Sequence, residues 1–416
     1  MDRNTKDGVG SLQQKLRHHL TKSTQRVSNV GIKQSNKSLL LKTLLVQGPL
    51  SRAQLSLLTQ LSKMTITNLV KEYMDEGILF EWGTAPSNGG PKPALLDVMA
   101  ESLITTSLYI ARDHLLVSLI DLRGNILAHS TASLPEDDSG ANVMQKIYVL
   151  MDNMLAHKTK GRVWGMGISV AGPLDSERGV ILNPPNFPQV RNLSIVKPLE
   201  ERYGLPTYIE NDIRVSSLAE MYYGNAKNVS NFVYVGVTSG VGCGIIIDRE
   251  LFTGFDGNAG EFAHATIDPS GPQCSCGNIG CLEQYSTTSS AIRQYRQETG
   301  KDISWLELVS LAKDGDQLCL RIIKNLQKYL GYGLVALANI FDPECIIVGD
   351  EIIYVADLVL DGLNEYVNSH KIFRARPINI IKSYFPGSAP FIGTSPLIIE
   401  HLLQHKRPRM RILQEN

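Results

Sequence analysis

The chain has 416 residues, 43% of them hydrophobic, and its 41 basic and 41 acidic side chains balance. That length exceeds one ordinary core and points to two or three domains, and the composition excludes a disordered polymer. No apolar run approaches the roughly 18 to 20 residues that span a bilayer. The opening stretch MDRNTKDGVGSLQQKLRHH has charge but no apolar core of a signal peptide, so the chain reads as cytoplasmic with no membrane insertion. Six cysteines are too few for a secreted disulfide framework. Cys243, Cys319 and Cys345 stand alone in apolar stretches and read as small buried hydrophobes.

The balanced charge is unevenly spread. Residues 1–71 hold twelve basic and two acidic residues, a net +10 offset by the remainder. Such an asymmetry suits contact with a polyanion, although a solvated basic tail has the same composition. Residues 1–30 are polar and aperiodic and are expected to form a flexible basic arm. Residues 31–100 then show helical periodicity. Leu39, Leu40, Thr43 and Leu44 mark the inner face of a first helix, which Gly48-Pro49 ends. Ser51 and Gln54 form a capping box for a short second helix ending near Gln60. Ser62 caps a third, with Ile66, Leu69, Val70, Tyr73 and Met74 inward and Gly77 as its stop.

A short helix, a tight turn and a second amphipathic helix make a helix-turn-helix, the third helix being the one that enters the major groove. Lys63, Met64, Thr65, Thr67 and Asn68 fall on its outer face near its N-terminus. Lys reaches guanine edges, Asn pairs with adenine, and Thr offers a methyl and a hydroxyl. ILFEWG and PALLDV read as two strands around TAPSNGGPK, a wing that carries Lys92. Lys37, Arg52 and Lys92 are candidates for phosphate contacts. A three-helix core that docks something other than DNA is the alternative.

After residue 103 the texture becomes α/β. LYIARDHLLVSLIDLRGNIL turns at Arg123-Gly124 as a hairpin, and VWGMGISVAGPLD, PTYIEND, NFVYVGVTSGVGCGIII and ECIIVGD are further apolar strands. No period of 20 to 50 residues indicates a solenoid. Residues 101–220 are expected to form one α/β lobe and residues 221–416 a second, with a C-terminal helix returning to the first.

The stretch CSCGNIGC holds Cys274, Cys276 and Cys281, with His264 ahead in the spacing H-x9-C-x-C-x4-C. One imidazole and three thiolates suit tetrahedral Zn²⁺, and four protein ligands would make the metal structural. Gly271, Gly277 and Gly280 allow the backbone to wrap tightly. A thiol switch is the alternative, although Cys-x-Cys disulfides are strained and cytoplasmic thiols stay reduced. A metal knuckle here would pin Glu261 and Glu283 beside it.

The run GNAGEFAHATIDPSGPQCSCGNIGCLE, together with VAGPLD, PPN, YIENDIRVSSLAE and FDPECIIVGDE in the same order, resembles the ROK family of repressors, open reading frames and sugar kinases. The resemblance covers roughly residues 33–400. With its helix-turn-helix the chain is similar to the repressor branch, in texture to xylose repressors and to regulators of glucose and N-acetylglucosamine genes. This implies an N-terminal winged helix-turn-helix followed by a two-lobed, actin-like (ribonuclease H-like) α/β domain with a structural zinc site and a sugar in the cleft. It places Asn186, Asn211, Asp212, Glu261, His264 and Glu283 at the sugar, with His264 serving zinc and sugar through its two ring nitrogens. Carboxylates and amides suit a polyol, yet each of these residues alone is an ordinary turn or surface residue.

Asp212 sits where the family's kinases keep their general base. The first phosphate turn, D-x-G-G-T in those kinases, reads YIARDHLL here: Tyr109 replaces the Asp, and Ala111 and Arg112 replace the glycines. TSGVGCG from Thr238 is better preserved, while the Gly-Gly near the adenosine reads Gly349-Asp350. A Trp usual after PPN is missing, and the wing's Gly-Gly-Arg is Gly-Gly-Pro91-Lys92. The expectation is a non-enzymatic, sugar-responsive repressor that binds an inverted repeat as a dimer or dimer of dimers. The effector is a sugar or sugar phosphate. A residual sugar kinase and a repressor controlled by a transporter protein are the alternatives, the basic stretch HKRPRMR being a docking element in the latter.

Overall fold

The computed structural model describes residues 29–84, 92–185 and 187–403. The basic arm, the tip of the wing, Asn186 and the HKRPRMR stretch lie outside the described residues.

The first unit contains α1 (Asn29–Gln47), β1 (Leu50–Ser51), α2 (Arg52–Thr59), α3 (Lys63–Asp75), β2 (Leu79–Thr84) and β3 (Ala94–Val98). Each boundary has a local cause. The Leu44 carbonyl accepts from the N–H of Gly48, whose φ of 81° only glycine adopts easily. Both halves of the Ser51–Gln54 capping box form, and Ser62 accepts from the N–H of Thr65. The inner face of α1 differs from expectation: Leu40, Leu41, Leu44 and Leu45 are buried while Leu39 is 42% exposed. Helical spacing permits either face. The Thr43 hydroxyl donates back to the Leu39 carbonyl, which satisfies it on α1 itself. Ile66, Leu69, Val70 and Tyr73 are buried as expected, and Met74 is half-buried. The two wing strands pair antiparallel, and the two-residue β1 adds to β3 through Leu50 and Leu96.

The rest of the chain builds two five-stranded sheets of one design. The first comprises β4 (Leu103–Ile110), β5 (His114–Asp121), β6 (Ile126–Ser133), β7 (Arg162–Val170) and, later in the chain, β11 (Thr207–Asn211). Helix α4 (Gly140–Leu155), a ribbon of β8 (Leu174–Asp175), β9 (Val180–Ile181) and β10 (Leu193–Ser194), and α5 (Val196–Tyr203) lie between them in sequence. Spatial order is β11-β7-β4-β5-β6: an antiparallel meander whose first strand pairs in parallel with β7, which pairs in parallel with β11 in turn. The hairpin expected at Arg123-Gly124 joins β5 to β6, and the β4–β5 turn is residues 111–113. Helix α6 (Asp212–Tyr222) follows β11 directly.

The second sheet repeats the arrangement with β12 (Phe232–Val237), β13 (Val241–Ile247), β14 (Glu250–Phe252), β15 (Cys345–Asp350) and β16 (Asn379–Lys382). Its outer face is covered by α7 (Thr288–Thr299), α8 (Trp305–Lys313), α9 (Gln317–Phe341) and α10 (Ala356–His370). Two short helices, α11 (Ala389–Ile392) and α12 (Thr394–Leu403), end the described chain. Helix α12 packs on β4, β7 and β11 and also touches α1 and α6. The close approach needs glycine at 167, where a Cβ would come within 2.7 Å of Thr394.

Helix α6 lies at the junction. It contacts β7 and β11 of the first sheet, β12 and β13 of the second, and α1 of the N-terminal unit. Residues 214–222 are all buried. Among them is Arg214, which pairs with Glu210 at 2.8 Å with both side chains less than a tenth exposed. A buried ion pair of this kind costs desolvation, and it persists where its partners are fixed by their surroundings.

Candidate functional site

The outer face of α3 holds Lys63, Met64, Thr67 and Asn68 in the open, with Met64 76% exposed. Thr65 is half-buried, and its hydroxyl shares a hydrogen bond with Ser62 at 2.9 Å. The Thr67 hydroxyl donates to the Lys63 carbonyl at 2.8 Å, which leaves its methyl and lone pairs outward. Arg52 opens α2 with Glu81 3.8 Å away, and Lys92 is exposed beside the wing. Lys37 is not brought to this face. Its ammonium lies over the Tyr73 ring at 4.6 Å and pairs with Glu76 at 2.7 Å, at the far end of α3. Trp82, 59% exposed on β2, was not singled out from the sequence, where it reads only as one aromatic in a strand.

The second constellation is built on two tight turns. A single 3-10 turn carries Phe262–His264, and the segment 274–281 folds back on it through the bridge Thr266↔Cys281. Gly277 and Gly280 take φ of 97° and 62°, and backbone at Asp268 leaves no room for a Cβ at 280. The result gathers His264, Cys274, Cys276 and Cys281 so that their ligand atoms lie within 4.8 Å of one another. Cys274 Sγ is 3.7 Å from His264 Nδ1, and Cys276 Sγ is 3.6 Å from Cys281 Sγ. These separations suit four ligands around one tetrahedral ion and are too long for a disulfide. Burial pushes the Cys281 thiol up to about 12, helped by its hydrogen-bonded neighbours. Against its own burial, Cys274 is drawn down to about 7 by hydrogen bonds with Cys276 and His264.

The cluster fixes its flanks. Glu261 Oε2 stands 3.7 Å from His264 Nε2, the nitrogen facing away from the thiols. Glu283 sits on the 3-10 turn opened by Cys281, its Oε1 3.9 Å from Cys274 Sγ. A Cβ on Gly240 would lie 3.3 Å from Glu283 Oε2, so the carboxylate also reaches the β12–β13 turn.

Asn211 is the N-cap of α6, accepting from the N–H groups of Ile213 and Arg214 at 3.0 and 3.2 Å. Asp212 follows at the first helical position. Burial raises its carboxyl above the ordinary range, opposed by the Ile213 N–H and by the charges of Arg112 and Arg214. Arg214 also donates to the carbonyl of Gly257, tying α6 to the 254–260 loop. Beside this tie a crevice of about 280 Å³ is lined by Asp175, Ser176, Glu177, Asp256 and Asn258.

A model of the ROK family matches residues 105–401. The chain belongs to the ROK family. It is 31% identical over 376 residues to the xylose repressor of Bacillus subtilis (strain 168), spanning 89% of this chain and 97% of that repressor. It is 27% identical over 363 residues to the DNA-binding transcriptional dual regulator NagC of Escherichia coli (strain K12), spanning 84% and 89%. A solved ROK transcriptional regulator, homologous to the E. coli MLC protein, superposes with a TM-score of 0.76 at 28% identity, over 90% of this chain and 97% of that one. A ROK glucokinase from Streptomyces griseus, solved with glucose and AMPPNP, gives 0.63 at 26% identity, over 71% and 98%.

In this ROK chain the ends of β4 and β15 and the start of α6 bring Tyr109, Asp350 and Asp212 together. Tyr109 is the last residue but one of β4, and burial together with Asp212, Asp350 and Asp113 pushes its hydroxyl well above 10. Asp350 ends β15 with φ 62° and ψ −137°, a backbone region that glycine favours. Burial, Asp212 and Glu351 push its carboxyl up to about 7. Its Oδ2 is buried without a hydrogen-bond partner and lies where a Cβ on Gly236 would fall. Arg112 was read from the sequence only as a lost glycine. Its guanidinium donates to the Pro185 carbonyl and lies 5.6 Å from the Phe187 ring centre.

Proposed function

We propose that this ROK chain is a sugar-responsive transcriptional repressor that binds operator DNA with α2 and α3 and receives a sugar between its two sheets. The observation that carries the reading is the cleft floor. Carboxylates suited to a polyol, Asp212, Glu261 and Glu283, are kept, while Tyr109, Arg112 and Asp350 fill positions that a nucleotide's phosphates and base need as open backbone. The xylose repressor and NagC relatives support the same reading, and a sugar or sugar phosphate of carbohydrate utilisation is the effector class. The sugar kinase alternative loses ground at the same three residues.

Lys63 and Asn68 would read bases, Met64, Thr65 and Thr67 would pack on them, and Arg52 and Lys92 would meet phosphates. A homodimer would set two α3 helices one or two helical turns apart on an inverted repeat, multiples of roughly 10 bp. Zinc would be held by His264, Cys274, Cys276 and Cys281 and would supply rigidity rather than chemistry. Asn211, Asp212, Glu261, His264 Nε2 and Glu283 would face the sugar, with Asn186 at its loop. Lowering operator occupancy from about 99% to about 1% needs a sugar that favours the released state by ~10⁴-fold. The location is cytoplasmic, where such DNA is found.

The test is binding of DNA from upstream of the chain's own gene. Asn68→Ala is expected to weaken the specific complex by about 1–3 kcal/mol and to relax preference at one base pair. Lys92→Ala should weaken all sequences alike and reduce the salt slope by about one. Equal affinity of wild type and Asn68→Ala for operator and for random DNA would overturn α3 as the reading helix.

A further inference from the structure

Arg112 joins three pieces of the cleft that are far apart in sequence. It springs from the 111–113 turn that joins two interior strands of the first sheet, β4 and β5. Its guanidinium bonds the Pro185 carbonyl and covers the buried Phe187 ring, so it grips the chain on both sides of position 186. Its charge also acts on Asp212 at the start of α6. Nothing in the helix-turn-helix or the thiol cluster requires a cation here. The planar group, rather than charge alone, fits a carbonyl and an aromatic face together.

We infer that Arg112 is a positioning residue of the ligand site, holding Pro185 and Phe187 against the first sheet and keeping Asp212 ready to accept a hydroxyl from a neutral sugar. This rests on the sugar-receptor reading above. The charge balance argues for the neutral class. With Arg214 paired to Glu210, Arg112 faces the carboxyl groups of Asp113, Asp212, Asp350 and Glu351, two of them raised by burial, so a phosphate dianion would meet more acid than base. A neutral polyol instead donates to Asp212 without bringing charge.

The sign of the pH dependence follows. An ionised Asp212 accepts from the sugar, so affinity is lost as pH falls through its pKa. Removing Arg112 takes away a charge that lowers that pKa, and the loss then begins at higher pH. The groups facing Asp212 are Arg112 from the β4–β5 turn, Arg214 on α6, Tyr109 on β4 and Asp350 on β15. Tyr109 stays protonated, and Asp350 titrates in wild type and variants alike, so the readout is the difference between their profiles.

The experiment is calorimetric titration of the full chain with D-xylose, D-glucose and their phosphates between about pH 5 and 8, for wild type, Arg112→Ala and Arg112→Lys. Arg112→Ala should bind the free sugar about 10- to 100-fold more weakly, with its acid midpoint moved up. Arg112→Lys should keep the midpoint and still lose affinity, because the flat contact with Pro185 and Phe187 is gone. Retained operator binding by each variant shows that it is folded. Equal sugar affinity and an equal midpoint in all three would overturn the role of Arg112 and leave the receptor reading intact. Tighter binding of the sugar phosphate would overturn the neutral class. Wild type that binds none of the sugars would overturn the receptor reading itself.

Discussion

Replacing Cys276 with serine should release the metal and silence the response to sugar, while DNA binding by the N-terminal unit survives. Cys276 is the exposed member of the cluster, so its loss leaves little void in the core. What it does remove is one corner of the set formed with His264, Cys274 and Cys281. Losing a group merely hydrogen-bonded to a ligand costs roughly 10- to 100-fold in metal affinity, and losing a ligand costs more. The chain from 264 to 281 has few other ties: two isolated bridges and a handful of turn hydrogen bonds. Without the ion, Glu261 and Glu283 would lose their fixed spacing. Zinc content by elemental analysis should fall from one per chain to a small fraction. Wild-type zinc content, or a zinc-free variant with an unchanged sugar response, would contradict this account.

Glu400→Ala is expected to have the second large effect, on communication rather than on either binding event. Helix α6 carries Asn211 and Asp212 at its start, and Tyr222 ends it about 16 Å away. The Tyr222 hydroxyl donates to Glu400 Oε1 on α12, and Glu400 Oε2 pairs with Lys42 on α1 at 2.5 Å. Burial and the neighbouring Glu400 push the Tyr222 hydroxyl well above its ordinary value, so it remains a donor. A shift at the Asp212 end of α6 thus has a direct path into the N-terminal unit. That unit is held elsewhere by Arg123, which donates to the Leu45 carbonyl at 3.1 Å and pairs with Asp97, and by Gln47 on Asn228. Those ties survive the substitution. Coupling between sites is typically 5- to 150-fold. In Glu400→Ala, saturating sugar should change operator affinity by less than about threefold. Sugar affinity and sugar-free operator affinity should each stay near wild type. A full response in the variant would exclude the Tyr222–Glu400–Lys42 path.

What the sequence disclosed and what it concealed divide by range. Ser51, Gln54, Ser62, Gly48 and Gly77 act on neighbours within a few residues, so spacing alone located the ends of α1, α2 and α3. The thiol cluster was equally legible, because four metal-type side chains in eighteen positions have few other uses. The inner face of α1 was not, since Leu39 and Leu41 both satisfy helical spacing and only packing decides between them. Lys37 looked like a phosphate contact until Tyr73, Glu72 and Glu76, more than thirty residues on, folded beside it. Arg112 is 73 residues from Pro185, and Lys42 is 358 from Glu400. Such pairs carry no local pattern. The two-residue β1 is also too short to leave one.

The central claim is that one chain binds DNA through α3 and is released by a sugar held beside α6. Fluorescence anisotropy of labelled upstream DNA, titrated with the purified chain across free and phosphorylated sugars, tests it most directly. The account predicts tight, salt-sensitive binding that a free sugar reverses. Binding that no sugar alters would contradict the claim and point instead to release by a protein partner, such as a transporter component.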